Sequence, residues 1–275
     1  MPSDKRTQLA KLGADTLAMA LLDLATCNED AESVVDRLLA SPKENAKSFK
    51  ARLSSLKRRR HFITWGESGA YAHELASILE DLKASVTKSC AGVEAVAAFY
   101  QADTYIFDKT DDSNGSIGNV FKFNAADLFV LYASGCEEKE WLVDLVIKLN
   151  QKNGYGVRDV LFEKMSKYLP EHLMRSAVEK LWRLAESEGD KYALAFAIAD
   201  LAEQLKDPAL LEAAKRAASD GELSTAAIIE IAKLHFQCGD SAMALTWIER
   251  VPADMSFMEH ERDDGRRWTC PANAI

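Results

Sequence analysis

"AAIIEIAKLHFQCGDSAMALTWIERVP", residues 226 to 252, is the stretch that decides the fold of this chain. Apolar residues recur at helical spacing up to Gly239-Asp240, and the pattern resumes with "AMAL" before it stops at Pro252. Small residues on both sides of the turn let two helices approach closely. The stretch therefore predicts a tight helical hairpin.

The same stretch resembles one tetratricopeptide repeat. The small residue, the turn and the second-helix Ala-Leu pair of that repeat fall at Ala232, Gly239, Ala244 and Leu245. A weaker second unit, "LAFAIADLAEQLKDPALLEAAKRAA", places Lys206-Asp207 on Gly239-Asp240 at an offset of 33, close to the usual repeat of about 34 residues. The alternative interpretation is that any tight helical hairpin selects small residues at these places.

Working outward, apolar periodicity predicts helices along nearly the whole chain. "LAKLGADTLAMALLDLATC" is predicted as one helix whose leucines, from Leu9 to Leu24, form a stripe that must pack. "AESVVDRLLA" stops at Ser41-Pro42, and a third helix runs from Pro42 to Arg60. "HFITWGESG" is interpreted as an aromatic connection. Further helices follow in "AYAHELASILEDLKASV", "GVEAVAAFYQADTYIFDK", "IGNVFKFNAADLFVLYAS", "EEKEWLVDLVIKLNQKN", "VRDVLFEKMSKYL" and "PEHLMRSAVEKLWRLAESEG".

No stretch favours a strand, so the prediction is an all-α fold of stacked antiparallel helical hairpins, an α-solenoid with tetratricopeptide-like repeats at its C-terminal end. We divide it into an N-terminal helical region with a basic segment, central hairpins, the repeats, and an irregular tail. The tail is interpreted as truncated, frameshifted or docked elsewhere, with a naturally disordered tail as the alternative. These units span residues 1–109, 110–188, 189–252 and 253–275.

Composition narrows the class of protein. A net charge of -9 and a pI near 5.2 argue against a protein that coats DNA or an anionic membrane with its whole surface. The sequence shows no signal peptide and no run of about 18 apolar residues, which predicts a cytoplasmic protein without a membrane span. Five cysteines stand singly, so neither a disulfide framework nor a zinc site is predicted.

One segment departs from the acidic average. Eight Lys or Arg residues against one Glu between Lys43 and Arg60 give +7, which leaves -16 for the rest of the chain. Binding candidates in this segment and just after it are Lys57, Arg58, Arg59, Arg60, Phe62 and Trp65. They could contact a polyanion, with the rings as stacking surfaces. The simpler interpretation is that the cations serve a helix end and internal ion pairs, while Phe62, Ile63 and Trp65 plug neighbouring helices.

A second candidate is the loop "DKTDDSNGSIGNVFKF", residues 108 to 123. Asp112, Asn114 and Gly115 imitate part of a calcium-binding loop, but Phe121 stands where the bidentate glutamate is required, so no metal is predicted. The loop is interpreted chiefly as a connector, with Asn114-Gly115 turning the chain and Asp112 capping the next helix. Asp111, Asp112 and Asn114 remain candidates for a polar binding patch.

No catalytic motif is present. The five histidines are dispersed, "AHEL" at residues 72 to 75 lacks a second histidine, and no phosphate-binding loop occurs. Distant residues can assemble a site, so an enzyme is not expected but stays open, and no cofactor is expected.

The basic segment and the acidic loop together resemble an uncharacterised bacterial family of helical-repeat proteins. The resemblance lies in "RLSSLKRRRHFITWGESGAYAHEL", residues 52 to 75, and "FDKTDDSNGSIGNVF", residues 107 to 121, and extends over most of residues 10 to 260. It implies helical hairpins but no activity. Some relatives carry a SWIM-type zinc finger, whereas this chain lacks such a cysteine and histidine cluster.

These observations predict a non-enzymatic scaffold that binds another protein. The alternative is a nucleic-acid-associated protein that uses Lys57 to Arg60.

Overall fold

The computed structural model describes residues 2–86, 88–188, 191–219 and 221–251, and these residues fold as helices without a strand. The predicted all-α class is confirmed. The helices are α1 (Pro2–Ala10), α2 (Ala14–Ala25), α3 (Glu29–Leu39), α4 (Pro42–Arg58), α5 (Trp65–Ser85), α6 (Ser89–Tyr100), α7 (Asp103–Phe107), α8 (Ser116–Asn119), α9 (Ala126–Gly135), α10 (Lys139–Asn150), α11 (Val160–Glu163), α12 (Glu171–Glu188), α13 (Lys191–Leu205), α14 (Pro208–Ala217), α15 (Thr225–Gln237) and α16 (Ser241–Ile248). A π-helical segment, Val120–Ala125, joins α8 to α9, and a 3-10 turn covers Met165–Lys167.

The first predicted helix is wrong in two respects. The chain breaks between α1 and α2 at Gly13, whose φ of 85° only glycine adopts easily. The leucine stripe that was expected to pack stays largely in solvent: no residue of α2 is buried, and Leu9, Leu12 and Leu24 are all more than half exposed. Periodicity correctly indicated a helix but not whether a partner covers it.

The connection "HFITWGESG" also ends earlier than expected, because α5 begins at Trp65. The Thr64 backbone N–H donates to Glu67, whose carboxylate also accepts from the Thr64 hydroxyl, and these two bonds and His61 lower the pKa of Glu67 to about 2. Thr64-x-x-Glu67 is a capping box, a pattern that can be recognised from the sequence alone. Its counterpart Ser41-x-x-Glu44 begins α4.

Helices α6 and α9 pack at very short range. A Cβ added at Gly92 would lie 2.4 Å from the Tyr132 ring, so only glycine fits there. A disulfide joins Cys90, in the first turn of α6, to Cys136, directly after α9. The prediction of no disulfide is therefore wrong for this pair, because two single cysteines 46 residues apart give no sign in the sequence that their helices meet.

"VRDVLFEKMSKYL" was predicted as a full helix but forms only the four-residue α11 and the 3-10 turn. Arg158, which precedes α11, is 4% exposed and donates to both oxygens of the buried Asp103 over 2.8 and 2.6 Å. Its Nη1 donates to the carbonyl oxygen of Leu149 at 2.8 Å. A buried ion pair, and not a continuous helix, therefore fixes the chain at this point.

The two C-terminal hairpins turn in the same way. Lys206 and Gly239 both have positive φ, 53° and 85°, and each is followed by an aspartate that caps the next helix. The backbone N–H of Asp207 donates to the Ala202 carbonyl, and the backbone N–H of Asp240 donates to the His235 carbonyl. Helices α13 and α15 therefore end with the same C-capping hydrogen bond. The predicted equivalence of these turns at an offset of 33 holds in their backbone geometry.

One hydrophobic cluster runs through the molecule from Phe49 of α4 to Trp247 of α16. No helix among residues 2–86, 88–188, 191–219 and 221–251 is both long and apolar enough to span a bilayer. The predicted irregular tail, 253–275, lies outside the described residues.

Candidate functional site

The two segments that the sequence singled out separately lie against each other. The Ile63 backbone N–H donates to the Lys109 carbonyl at 2.8 Å, and the Asp111 N–H donates to the Ile63 carbonyl at 2.9 Å, an isolated parallel bridge. The Lys109 ammonium donates to the Arg59 carbonyl, and the Asn114 amide donates to the Ser68 hydroxyl. Sequence reasoning missed this contact because the partners are about 46 residues apart and no local pattern encodes it.

The cations of the basic segment divide into two groups. Arg52 bonds to Asp81 at 2.8 Å, and Arg59 reaches both Glu74 oxygens at 3.0 and 2.9 Å. The Arg59 guanidinium also lies 4.6 Å from the ring centre of Tyr71, a cation–π contact. Burial raises the pKa of that phenol to about 12. These two arginines serve the α4–α5 interface.

The other six cations of the segment point to solvent. Within the part of the chain that the structure describes, none has an acidic group in ion-pair distance. They are Lys43, Lys47, Lys50, Lys57, Arg58 and Arg60. The Lys57 ammonium lies 5.9 Å from the centre of the exposed Tyr105 ring.

The aromatic residues after α4 do not plug the neighbouring helices as interpreted. Phe62 is 53% exposed and Trp65 is 60% exposed, and only Ile63, at 5%, enters the core. Alternation explains the position of Phe62: Ile63 pairs its backbone with the acidic loop and turns inward, which leaves the preceding side chain outside. Trp65 is the first residue of α5 and lies on the solvent side of that helix. The candidate rings are therefore available at the surface.

The acidic loop has the geometry of a connector. Gly115 has a φ of 71°, and the Asp112 carboxylate accepts the N–H groups of Ile117 and Gly118 at 2.8 and 2.7 Å. One oxygen of Asp111 accepts the Ser113 N–H, and that side chain is otherwise at the surface. No group of three metal-ligating side chains occurs among the described residues, this loop included.

A polar cleft of about 480 Å³ that the sequence did not indicate lies between α3, α4 and α5. At its base the nearly buried Asp81 accepts from Arg37 at 2.9 Å, from Arg52 at 2.8 Å and from Ser48 at 3.0 Å. Every oxygen of Asp81 is thus satisfied within the protein. The pair between Arg37 and Asp81 thus ties α3 to α5 at the base of the cleft.

The C-terminal hairpins repeat their buried positions. Ile198, Ala199 and Leu201 of α13 are buried, as are the residues 33 positions later in α15, Ile231, Ala232 and Leu234. Leu211 and Ala214 of α14 correspond likewise to Ala244 and Trp247 of α16. The register inferred from the turns extends through both helices of each unit.

The first helix of each hairpin also leaves apolar side chains outside. Phe196 is 58% exposed on α13, one turn after the half-exposed Tyr192, and Phe236 is 66% exposed on α15. Ile229 occupies the position equivalent to Phe196 and is only partly buried. Phe236 corresponds at this offset to Glu203, two turns after Phe196, so both phenylalanines lie on corresponding sides of α13 and α15.

The described residues define an all-helical protein with two equivalent hairpins at one end and an exposed basic segment near the other. The model of DUF6880, a family of unknown function, matches residues 4–235. The chain belongs to the DUF6880 family, so the prediction of an uncharacterised family is confirmed. No curated protein and no solved structure matches the chain.

Proposed function

We propose that this chain is a non-enzymatic helical-repeat scaffold that binds another protein through the outer face of α13 and α15. The observation that carries the proposal is the exposure of large apolar side chains on the first helix of each hairpin, foremost Phe196 on α13 and Phe236 on α15. At the offset of 33, Phe236 corresponds to Glu203, which lies two turns after Phe196 on the same side of α13. Isolated exposed apolar residues are ordinary, but large apolar side chains that two consecutive hairpins expose on corresponding sides are typical of a recognition surface.

The equivalent turns and buried positions support a tetratricopeptide-like α-solenoid as the framework. Repeats of this kind present one helix of each hairpin to the partner, and a fixed offset between units gives a regular spacing of contacts. The partner that fits best is an amphipathic helix, because its apolar residues recur at a comparable spacing. The exposed Glu203 lies two turns after Phe196 on the same side of α13, which favours a basic residue beside the apolar ones in that helix.

The test compares proteins captured by the parent with those captured by the double variant Phe196→Asp with Phe236→Asp. Phe123→Asp with Leu131→Asp is the matched control, since those side chains are also more than half exposed, at 58% and 57%, but lie elsewhere. Circular dichroism should show that all three proteins are folded.

We expect a protein captured by the parent and by the control, and lost with the double variant. Capture that is unchanged in the double variant would contradict the proposed surface. Repeated recovery of no partner, together with turnover of a small-molecule library, would overturn the scaffold itself.

A further inference from the structure

We propose that the outer face of α4 and the segment that follows it bind single-stranded nucleic acid, with phosphates on the lysines and arginines and bases on Phe62 and Trp65. This site is separate from the scaffold surface on α13 and α15, so the two proposals stand or fall independently.

Charge is the first observation. Six cations without an acidic partner in the described chain lie within 18 residues of a protein whose net charge is -9. Within the described chain, Arg52 and Arg59 are the cations of this segment that pair with a carboxylate. Unpaired cations attract a polyanion because each phosphate neutralised releases a condensed counterion.

The cations are arranged as a stripe. Lys43, Lys47, Lys50 and Lys57 follow steps of four, three and seven residues, which keeps them on one side of α4 over about 21 Å. The opposite side of the helix carries the buried Phe49, Leu53 and Leu56 and packs into the core. Phosphates could therefore follow the helix from its first turn to its last.

Exposed rings lie where the stripe ends. Arg60 leads into Phe62 and Trp65, both more than half exposed. Gly69, four residues after Trp65, carries no side chain, and the space around its Cβ position is open. A side chain there would lean back over the turn of Trp65, so its absence leaves the approach to the indole clear.

The segment that carries the rings is held in place. Ile63 is fixed by two backbone bonds to the acidic loop, and Arg59 is fixed by Glu74, Tyr71 and Lys109. Rings on a fixed backbone cost little entropy to engage, which favours stacking with a base.

These features favour a single strand over other polyanions. Bases in a duplex are already stacked on one another, so exposed rings would add little to duplex binding. A helix that lies on a membrane buries an apolar face in the lipid, whereas the apolar face of α4 is buried in the protein core. An acidic peptide would use the cations but would leave the rings without planar partners.

Fluorescence anisotropy with labelled oligo(U) and oligo(dT) at several salt concentrations tests the proposal on the full chain. A duplex of equal length, heparin, an acidic peptide and phosphatidylserine vesicles serve as alternative ligands. The variants are Lys50→Glu with Arg58→Glu for the cations and Trp65→Ala for the ring. Lys148→Glu with Lys152→Glu is the control, since it makes the same charge change at exposed positions at the end of α10.

We expect the single strand to bind more tightly than the duplex, with a slope of log affinity against log salt near -4 if six phosphates are neutralised, at about -0.7 for each. Trp65→Ala should weaken binding roughly 5- to 150-fold, the range for loss of one stacked base. The charge variant should reduce both affinity and slope, and the control should leave both within about twofold of the parent.

Absence of binding at low salt overturns the proposal, as does equal binding by the charge variant and its control. Binding that Trp65→Ala leaves unchanged shows adhesion by charge alone and also overturns it. Tighter binding to the duplex, the acidic peptide or the vesicles than to the single strand excludes the proposed ligand class.

Discussion

Asp103 and Arg158 show how much one buried pair can decide at the scale of a residue. Both charges are almost entirely removed from water, and each hydrogen-bonding group of the carboxylate faces the guanidinium or the nearby Thr104. Removing one partner leaves the other charge buried and unpaired. This loss of stability is larger than the net stability that the intact pair contributes.

Asp103→Ala should therefore lower the free energy of unfolding by roughly 3–5 kcal/mol. Urea denaturation followed by circular dichroism measures the loss. Glu171→Ala, which removes an exposed ion pair with Arg175 within α12, should change stability very little. Similar losses in the two variants would show that the Asp103 site tolerates an unpaired arginine.

Asp200 predicts a dependence on pH. Burial, with Glu163 and Glu203 nearby, raises the pKa of this carboxyl to about 7, against an ordinary value near 4 when unfolded. The folded chain thus holds a proton that the unfolded chain has lost between about pH 4 and pH 7, so this group makes stability fall as pH rises through that window.

We expect Asp200→Asn to stabilise the protein at pH 8 by about 1 kcal/mol or more and to have little effect at pH 4. Melting temperatures of parent and variant across this range provide the measurement. The expectation is contradicted if the difference between the two is the same at every pH.

At the scale of an element, the loop from Asp108 to Gly118 sets the direction of the helix that follows. Gly115→Val should cost at least about 1–2 kcal/mol, because a β-branched residue is strained at a φ of 71°. Asp112→Ala should cost roughly 0.5–2 kcal/mol through the two lost N–H bonds, and Asp111→Asn should cost little.

Thermal melts measure these losses, with Gly154→Ala as the control at a glycine whose φ is not positive and whose surroundings are open. Equal melting of the parent and Gly115→Val would refute the connector account. A rise in melting temperature on adding calcium, lost in Asp112→Ala, would instead reveal a ligand site.

The turns of the two C-terminal hairpins predict the effect of introducing a glycine at a residue with positive φ. Lys206 is the one non-glycine residue with positive φ in the described chain, at the place where the next hairpin has Gly239. Lys206→Gly should stabilise the protein by up to about 1 kcal/mol by removing this strain, whereas Gly239→Lys should destabilise it. If Lys206→Gly lowers the melting temperature, the contacts of the lysine stem outweigh the strain.

At the scale of the whole molecule, local signals predicted local structure well. Ser41-Pro42 and Gly239-Asp240 correctly located a helix start and a hairpin turn, because caps and turns depend on residues a few positions apart. Tertiary partners were not predictable in this way. Burial of Ile63 but not Phe62, exposure of the α2 leucines, and the contact between basic segment and acidic loop all depend on chain segments far away in sequence.

The disulfide between Cys90 and Cys136 is another tertiary contact that local sequence signals did not predict. It closes 46 residues of sequence, and such a closure stabilises a fold by about 2–4 kcal/mol, mainly by restricting the unfolded chain. A reducing agent should therefore lower the melting temperature of the parent. Cys90→Ser with Cys136→Ser should melt at the same temperature with and without the reductant, and an unchanged parent would show that the bond is absent in solution.

The same bond encloses the acidic loop and the π-helical segment within one covalent ring. A protease that cuts a single peptide bond between the two cysteines would open this ring without releasing either fragment. The nicked chain would migrate as one species on a non-reducing gel and as two after reduction. Since the disulfide would still join α6 and α9, which also pack together at Gly92 and Tyr132, a cut inside the ring would leave these two helices attached, whereas a cut outside residues 90–136 would give two species on either gel.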